Sequence, residues 1–259
     1  MKNDVSREVK ESSQEIKRLG GISALWKGDW LLGLVQQSFK NYSERATAEH
    51  FQLKYPSLSN DEIAKKLTKV ACQNARWLGA ITGAATSADE ITGIVTGGEG
   101  GVGLPANVLI FVGAASTEAY VLVKIQVQLV ANLARLYGDP IDPDDPEDIQ
   151  TILHYAFGGA AAESLGKVAT KAAKNATQRA VRKYLGGETL QAIQRLFRSL
   201  GMKILQKTLA KYLVPAASVL VGASWNYYAT KAVGKRAMAG FSERVKHKDE
   251  GRMSASCGS

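Results

Sequence analysis

Residues 105–138 read PANVLIFVGAASTEAYVLVKIQVQLVANLARLYG. Leu122, Ile125, Leu129, Leu133 and Leu136 recur at steps of three and four, with Lys124, Gln128, Asn132 and Arg135 forming a polar stripe opposite them. That is the period of an α-helix with one apolar face. The stretch VKIQVQL (123–129) alternates as a strand would, but the helical period continues well beyond it. The spacing therefore predicts a long helix over ~105–137, closed by Gly138.

The same period dominates upstream. Residues ~3–19 form a polar helix stopped by Gly20 and Gly21, and a second helix over ~23–54 places Leu25, Trp26, Trp30, Leu34 and Val35 at helical spacing before Pro56 breaks it. Ser59 followed by Glu62 is a capping-box signature, opening a helix that runs to about Gly79. Nine of the 25 glycines fall within 79–113, with Gly79/Gly83 and Gly93/Gly97 at four-residue spacing. Small residues so spaced let helix backbones approach closely. GGEGGVG (97–103) reads as the turn of a helical hairpin; it lacks the Lys and Ser/Thr of a phosphate-binding loop.

Downstream, DPIDPDDPED (139–148) packs six acids and three prolines into ten positions. Proline at that density forbids a helix interior. The order of acids lacks the spacing and central glycine of an EF-hand, so the stretch reads as a rigid connector into a helix beginning near Pro146. Residues 166–211 then hold 11 basic residues and a single acid, Glu188. Lys167, Lys171, Lys174 and Arg182 mark a stripe on an Ala-rich helix, and Lys203, Lys207 and Lys211 lie on the next, ~189–213, away from its Leu190, Ile193, Phe197, Leu200 and Ile204. The expected fold is all-α: a polar N-terminal helix (1–22), one multi-helix domain with a central glycine-rich hairpin (23–248), and a disordered tail (249–259).

The net charge of +9 is unevenly spread. Residues 1–150 hold 15 basic and 19 acidic side chains, whereas 151–259 hold 18 and 5. Such asymmetry suits an anionic partner, or the acidic half of the same chain. Two cysteines, Cys72 and Cys257, make no disulfide framework and point to a reducing compartment. The charged N-terminus has no signal-peptide core. Two uncharged stretches, 100–117 and 212–230, approach spanning length. Glycines and Pro105 shorten the first, and Pro215 with several polar residues weakens the second, so buried core helices are expected at both.

Three blocks carry a family resemblance: GAITGAATSADEITGIVTGGEGGVGLPANV (79–108), LVANLARLYGDPIDPDDPEDIQTIL (129–153) and YLVPAASVLVGASWNYYATKAVGKRAMAGF (212–241). In their order and spacing they resemble the EcsC family of bacterial proteins, over about residues 25–248. Asn107 stands where that resemblance leads one to expect an acidic residue; Asp89 and Glu90 lie in the neighbouring arm. The resemblance implies a helical protein associated with transport at the cytoplasmic membrane, with an ABC transporter as an implied partner. It implies no chemistry and no catalytic residues.

An enzyme would need matched acid, base and nucleophile groups. His50, His154 and His247 are far apart, and there is no zinc-protease, nucleophile-elbow or C-x-x-C motif. Asp89 and Glu90, adjacent on a helix, point about 100° apart and cannot readily share a proton. No catalytic, cofactor or metal residues are expected. A nucleic-acid-binding alternative rests on the basic half, with Tyr184 and Phe197 to stack, but no recognition motif supports it. Membrane or lipid contact draws on more features: the basic half, and Trp26 and Trp30 beside Lys27, a pairing suited to the bilayer interface. The expectation is a non-enzymatic, cytoplasmic protein at the inner face of the membrane, meeting anionic lipid through Trp26, Trp30 and the seven basic residues of the two stripes, and accessory to transport or secretion.

Overall fold

A computed structural model describes residues 2–28, 30–43, 48–85, 106–139, 141–142, 146–157, 198, 200–208 and 220–256. Among them there are nine helices and no strand. The helices are α1 (Lys2–Arg18), α2 (Gly21–Trp26), α3 (Trp30–Ser43), α4 (Ala48–Lys54), α5 (Asn60–Ala85), α6 (Ala106–Leu136), α7 (Pro146–Phe157), α8 (200–208) and α9 (Leu220–Ser256). The all-α expectation holds. The glycine-rich hairpin turn at 97–103 lies outside the described residues.

Several boundaries follow from local chemistry. The capping box forms: Ser59 N–H donates to Glu62 Oε2 at 2.9 Å and Glu62 N–H to Ser59 Oγ at 3.3 Å. These bonds satisfy amides that the first turn of α5 would otherwise leave open. From there α5 runs six residues past Gly79, to Ala85. At the end of α6, Gly138 takes φ +69° while its N–H and that of Asp139 reach back to the carbonyls of Arg135 and Ala134. A left-handed residue that closes the last turn in this way favours glycine. Helix α7 starts at Pro146, where proline loses no helical hydrogen bond.

Two expectations are corrected. The helix read over ~23–54 is described as α2, α3 and α4, and the first two are parted by a turn at Gly28 with φ +81°. A side chain there would also collide with the backbone carbonyl of Arg198, so this corner serves both a bend and a close approach. The tail read as disordered from 249 continues α9 through Ser256. Extending an existing helix adds a hydrogen bond per residue without a new nucleus, so a polar sequence free of proline can prolong it.

Three long helices make the central layer. Helix α5 runs antiparallel to α9: Thr68 meets Gly234 and Met238, while further along α5 Thr82 shares a partner with Asn226. Helix α6 runs with α9, pairing Glu118 with Asn226 and Gln126 with Thr230. Gly234 allows this closeness, since a Cβ there would overlap the Thr68 side chain. Helix α3 lies along α6, with Trp30 against Tyr120 at one end and Arg135 donating to the Phe39 carbonyl at the other. Helix α7 seals the far end through Tyr155, whose ring meets Phe241 edge-on at 4.9 Å and whose carbonyl accepts from Arg236. The main core joins Leu25, Leu31, Phe39, Ile63, Leu133 and Ile152 across these elements.

The apolar stripe of α6 is buried as its spacing implies, at Leu122, Leu129, Leu133 and Leu136. Its polar stripe is not a solvent face. Lys124, Gln128, Asn132 and Arg135 are all partly buried, because α1 and α3 cover that side. Among the described residues one helical stretch, Gly113–Leu136, is long and apolar enough to cross a bilayer, and most of it is buried inside the protein. It is not either of the two stretches singled out by charge alone, 100–117 and 212–230, of which 100–105 and 212–219 lie outside the described residues.

Candidate functional site

The site is built from a buried polar node. Glu118 of α6 is 1% exposed and Asn226 of α9 is fully enclosed. Asn226 Nδ2 donates to Glu118 Oε1 at 2.7 Å, and Thr82 Oγ1 of α5 lies 3.1 Å from Glu118 Oε2. The Thr82 hydroxyl also approaches the Leu78 carbonyl at 2.9 Å. One hydroxyl hydrogen serves two acceptors, so the Thr82 bond is shared between the helix backbone and the carboxyl. Three helices thus meet on one carboxyl group. A buried polar group left without its partner is costly, so the node admits one register of α5, α6 and α9.

That register decides what α9 shows to solvent. Its inward stripe is Ala223, Asn226, Thr230, Val233, Ala237 and Phe241, all buried at steps of three and four. With Asn226 inward, its neighbour Trp225 turns about 100° away and Tyr228 emerges on the opposite side. Trp225 is 59% exposed and Tyr228 66%. Lys231 and Lys235 continue the same outward face and are exposed. Lys231 Nζ lies 6.0 Å from the Tyr227 ring centroid, and the Tyr227 and Tyr228 rings meet edge-on at 5.5 Å. On α5, Trp77 lies one residue from Leu78 of the node region; it is 39% exposed, with Lys2 Nζ 5.9 Å from its ring centre. Large aromatic rings flanked by lysines therefore sit at the end of the helical layer that the node organises.

The residues singled out from sequence fare differently. Trp30 is a core side chain, 5% exposed, with its ring 5.4 Å from Tyr120. Its indole Nε1 is enclosed without a hydrogen-bond partner, close to where α8 passes at Gly201. Its expected role at a bilayer interface is therefore corrected: the ring packs with Leu31, Leu34 and Val35 inside the domain. Trp26 is partly buried against the same core, beside an exposed Lys27. Lys203 and Lys207 are exposed on α8, whose Leu200 and Leu205 face inward. Lys167, Lys171, Lys174, Arg182 and Lys211 lie outside the described residues, as do Asp89 and Glu90.

Trp225 and Tyr228 were missed because 212–230 looked like one weakly apolar block. The usable signal was the stripe of small and polar residues, Ala223–Asn226–Thr230, which marks the inner face and leaves the aromatics outside.

Other titratable groups serve structure. Burial pushes the Cys72 thiol up to about 11, against a partly opposing effect of Lys231. A thiol held so high is a poor nucleophile at neutral pH. Asp139, 8% exposed, pairs with Arg244 at 3.0 Å, and Arg244 also donates to Thr151 Oγ1. The connector thereby ties α6, α7 and α9 together. Asp142 N–H donates to Asp148 Oδ2 at 2.8 Å, so one acid of the connector supports its turn. Among the described residues no group of three or more His, Cys, Asp or Glu side chains is placed to hold a metal ion. His50 and His154 lie exposed beside Phe51 and Tyr155. No family model, curated protein or solved structure matches this chain.

Proposed function

We propose that this chain is a non-enzymatic, membrane-peripheral helical protein that docks on anionic bilayer surfaces through the aromatic–cationic face of α9. The observation that carries this is the exposure of Trp225 and Tyr228 beside Lys231 and Lys235. Aromatic rings with a polar edge are favoured at the headgroup level, and lysines attract anionic lipid at ~1 kcal/mol each near the surface. The exposed Lys203 and Lys207 and the basic composition of residues 151–259 add to the same attraction. The EcsC resemblance extends the proposal to a cytoplasmic protein at the inner face of the membrane, accessory to transport or secretion, with a transporter or another membrane protein as partner.

Co-sedimentation with vesicles of phosphatidylcholine, with and without phosphatidylglycerol, tests the proposal. The full chain is expected to bind the anionic vesicles at low salt and to release as salt rises. Trp225→Ala with Tyr228→Ala should reduce binding at least tenfold, because two interfacial rings are lost. Charge reversal at Lys203 and Lys207 should weaken binding less. Absence of binding at low salt sinks the proposal. Tight, salt-sensitive RNA binding in its place would favour the nucleic-acid alternative.

A further inference from the structure

Helix α1 is fastened to α6 largely by polar contacts. It buries only Val5, Ser12, Ser13 and Ile16, and two of those four are serines. Its other fastening is ionic. Lys124 Nζ of α6 lies 2.8 Å from Glu8 Oε1 and 3.7 Å from Glu15 Oε2, and Ser12 Oγ donates to Glu8 at 3.3 Å. Burial first, and then the charge of Glu15, holds the Tyr120 hydroxyl above its usual range. Beneath α1 lies an apolar patch distinct from the main core, made of Ala75, Leu78, Val121 and Leu122, with Val5 as its lid. Trp77, next to Leu78 in the chain, has its ring topped by Lys2 at the start of α1. A polar helix thus covers apolar surface next to the exposed aromatics, latched by two carboxylates on one half-buried lysine.

We infer that α1 is a displaceable cover, and that an anionic phospholipid displaces it by offering Lys124 a phosphate in place of Glu8 and Glu15 while the bilayer interface takes the uncovered patch. This rests on the membrane-docking proposal above. Charge complementarity identifies the occupant: a released Lys124 requires an anion, and the surface beside it is apolar, which together describe a lipid rather than a free phosphate. Lys2 of α1 also stands over the exposed Trp77 ring, so removing α1 frees that ring along with the patch. The latch is only partly shielded from water, with Lys124 23%, Glu8 33% and Glu15 26% exposed, so salt and competing anions reach it.

The test compares the full chain with Glu8→Gln/Glu15→Gln and with Lys124→Met, using the vesicles named above and hydrogen exchange across residues 2–18. Weakening the latch from the acidic side should raise binding to anionic vesicles about fivefold. Lys124→Met should also loosen α1, but with the anion site gone it should lose part of the preference for anionic over neutral vesicles. In the bound wild-type chain, α1 amides should exchange faster while α5 and α9 amides stay protected. Unchanged binding by the Glu8/Glu15 variant, or full α1 protection in the vesicle-bound chain, overturns the cover and leaves membrane docking standing. Free phosphate opening α1 as well as vesicles do would mean that a soluble anion suffices, and would overturn the lipid assignment. If no variant binds either vesicle, docking and cover fall together.

Discussion

Helix α6 meets α5 and α9 on one side and α1 on another, and the two contacts are made by different physics. Toward α5 and α9 it presents a buried carboxyl, bonded to Asn226 and Thr82 in a layer where Gly234 lets α9 approach α5 closely. Toward α1 it presents an ammonium that remains 23% exposed, facing two carboxylates over a small apolar patch. A polar contact sealed from water permits one geometry and punishes every other. A polar contact open to water can be exchanged for another ion at little cost. The same helix therefore carries both a permanent seam and a replaceable one.

The largest predicted effect strikes the permanent seam. Glu118→Ala leaves the Asn226 amide enclosed without its acceptor and opens a void, and should lower unfolding free energy by about 3 kcal/mol in urea titration. Glu118→Gln keeps the shape and can still accept from Asn226, so it should cost less than half as much. Near-equal effects would show that the carboxylate itself, and not the volume it fills, governs the seam. Gly234→Val forces a branched side chain into Thr68 and should cost about 2 kcal/mol, read as a fall in Tm.

The replaceable seam should respond more weakly. Lys124→Met should cost about 1 kcal/mol at most, since the pair is discounted by solvent, and the loss should appear in α1 exchange before global unfolding. A cost equal to that of Glu118→Ala would erase the distinction between the seams. Burial pushes the Lys124 ammonium down, but Glu8 above all, with Glu15 and Glu11, outweighs it and holds the pKa above 10.5. A raised folded value means that this contribution is whole below 10.5 and fades as pH climbs through the folded value. Alkaline titration followed by α1 exchange should therefore release α1 while the central layer persists.

The smallest effect lies outside both seams, at the exposed start of α5. The Ser59 backbone N–H, then its hydroxyl, hold the Glu62 carboxyl below 4.5. A depressed folded value means that the contribution is whole above 4.5 and fades as pH falls through the folded value. Acid should thus speed amide exchange in the first turn of α5 alone, and Glu62→Ala should abolish that pH response.

Much of the skeleton was legible because it is written locally. Ser59 and Glu62 are three residues apart and make their bonds within one turn; Gly138 ends α6 through its own backbone; Pro146 opens α7. The site was less legible, because exposure depends on elements distant in sequence. Trp26 and Trp30 sat beside a lysine and invited an interfacial role, yet α6 and α8 enclose Trp30. Trp225 and Tyr228, in a segment that looked uniformly apolar, face outward because Asn226 is claimed by Glu118, 108 residues away. The Lys124–Gln128–Asn132–Arg135 stripe was polar as read but not solvated, since a helical period says which residues share a face and not what covers it.

By itself the order of residues determined the helical class, several helix ends and the division of charge between the halves, because capping, proline, glycine and the 3.6-residue period act within a few residues. Only the tertiary structure decided which tryptophans are core and which are surface, which carboxyl became a buried node, and which lysine was latched rather than solvated. Each of those outcomes depends on the identity of a partner brought in from elsewhere in the chain, and on whether water remains between them.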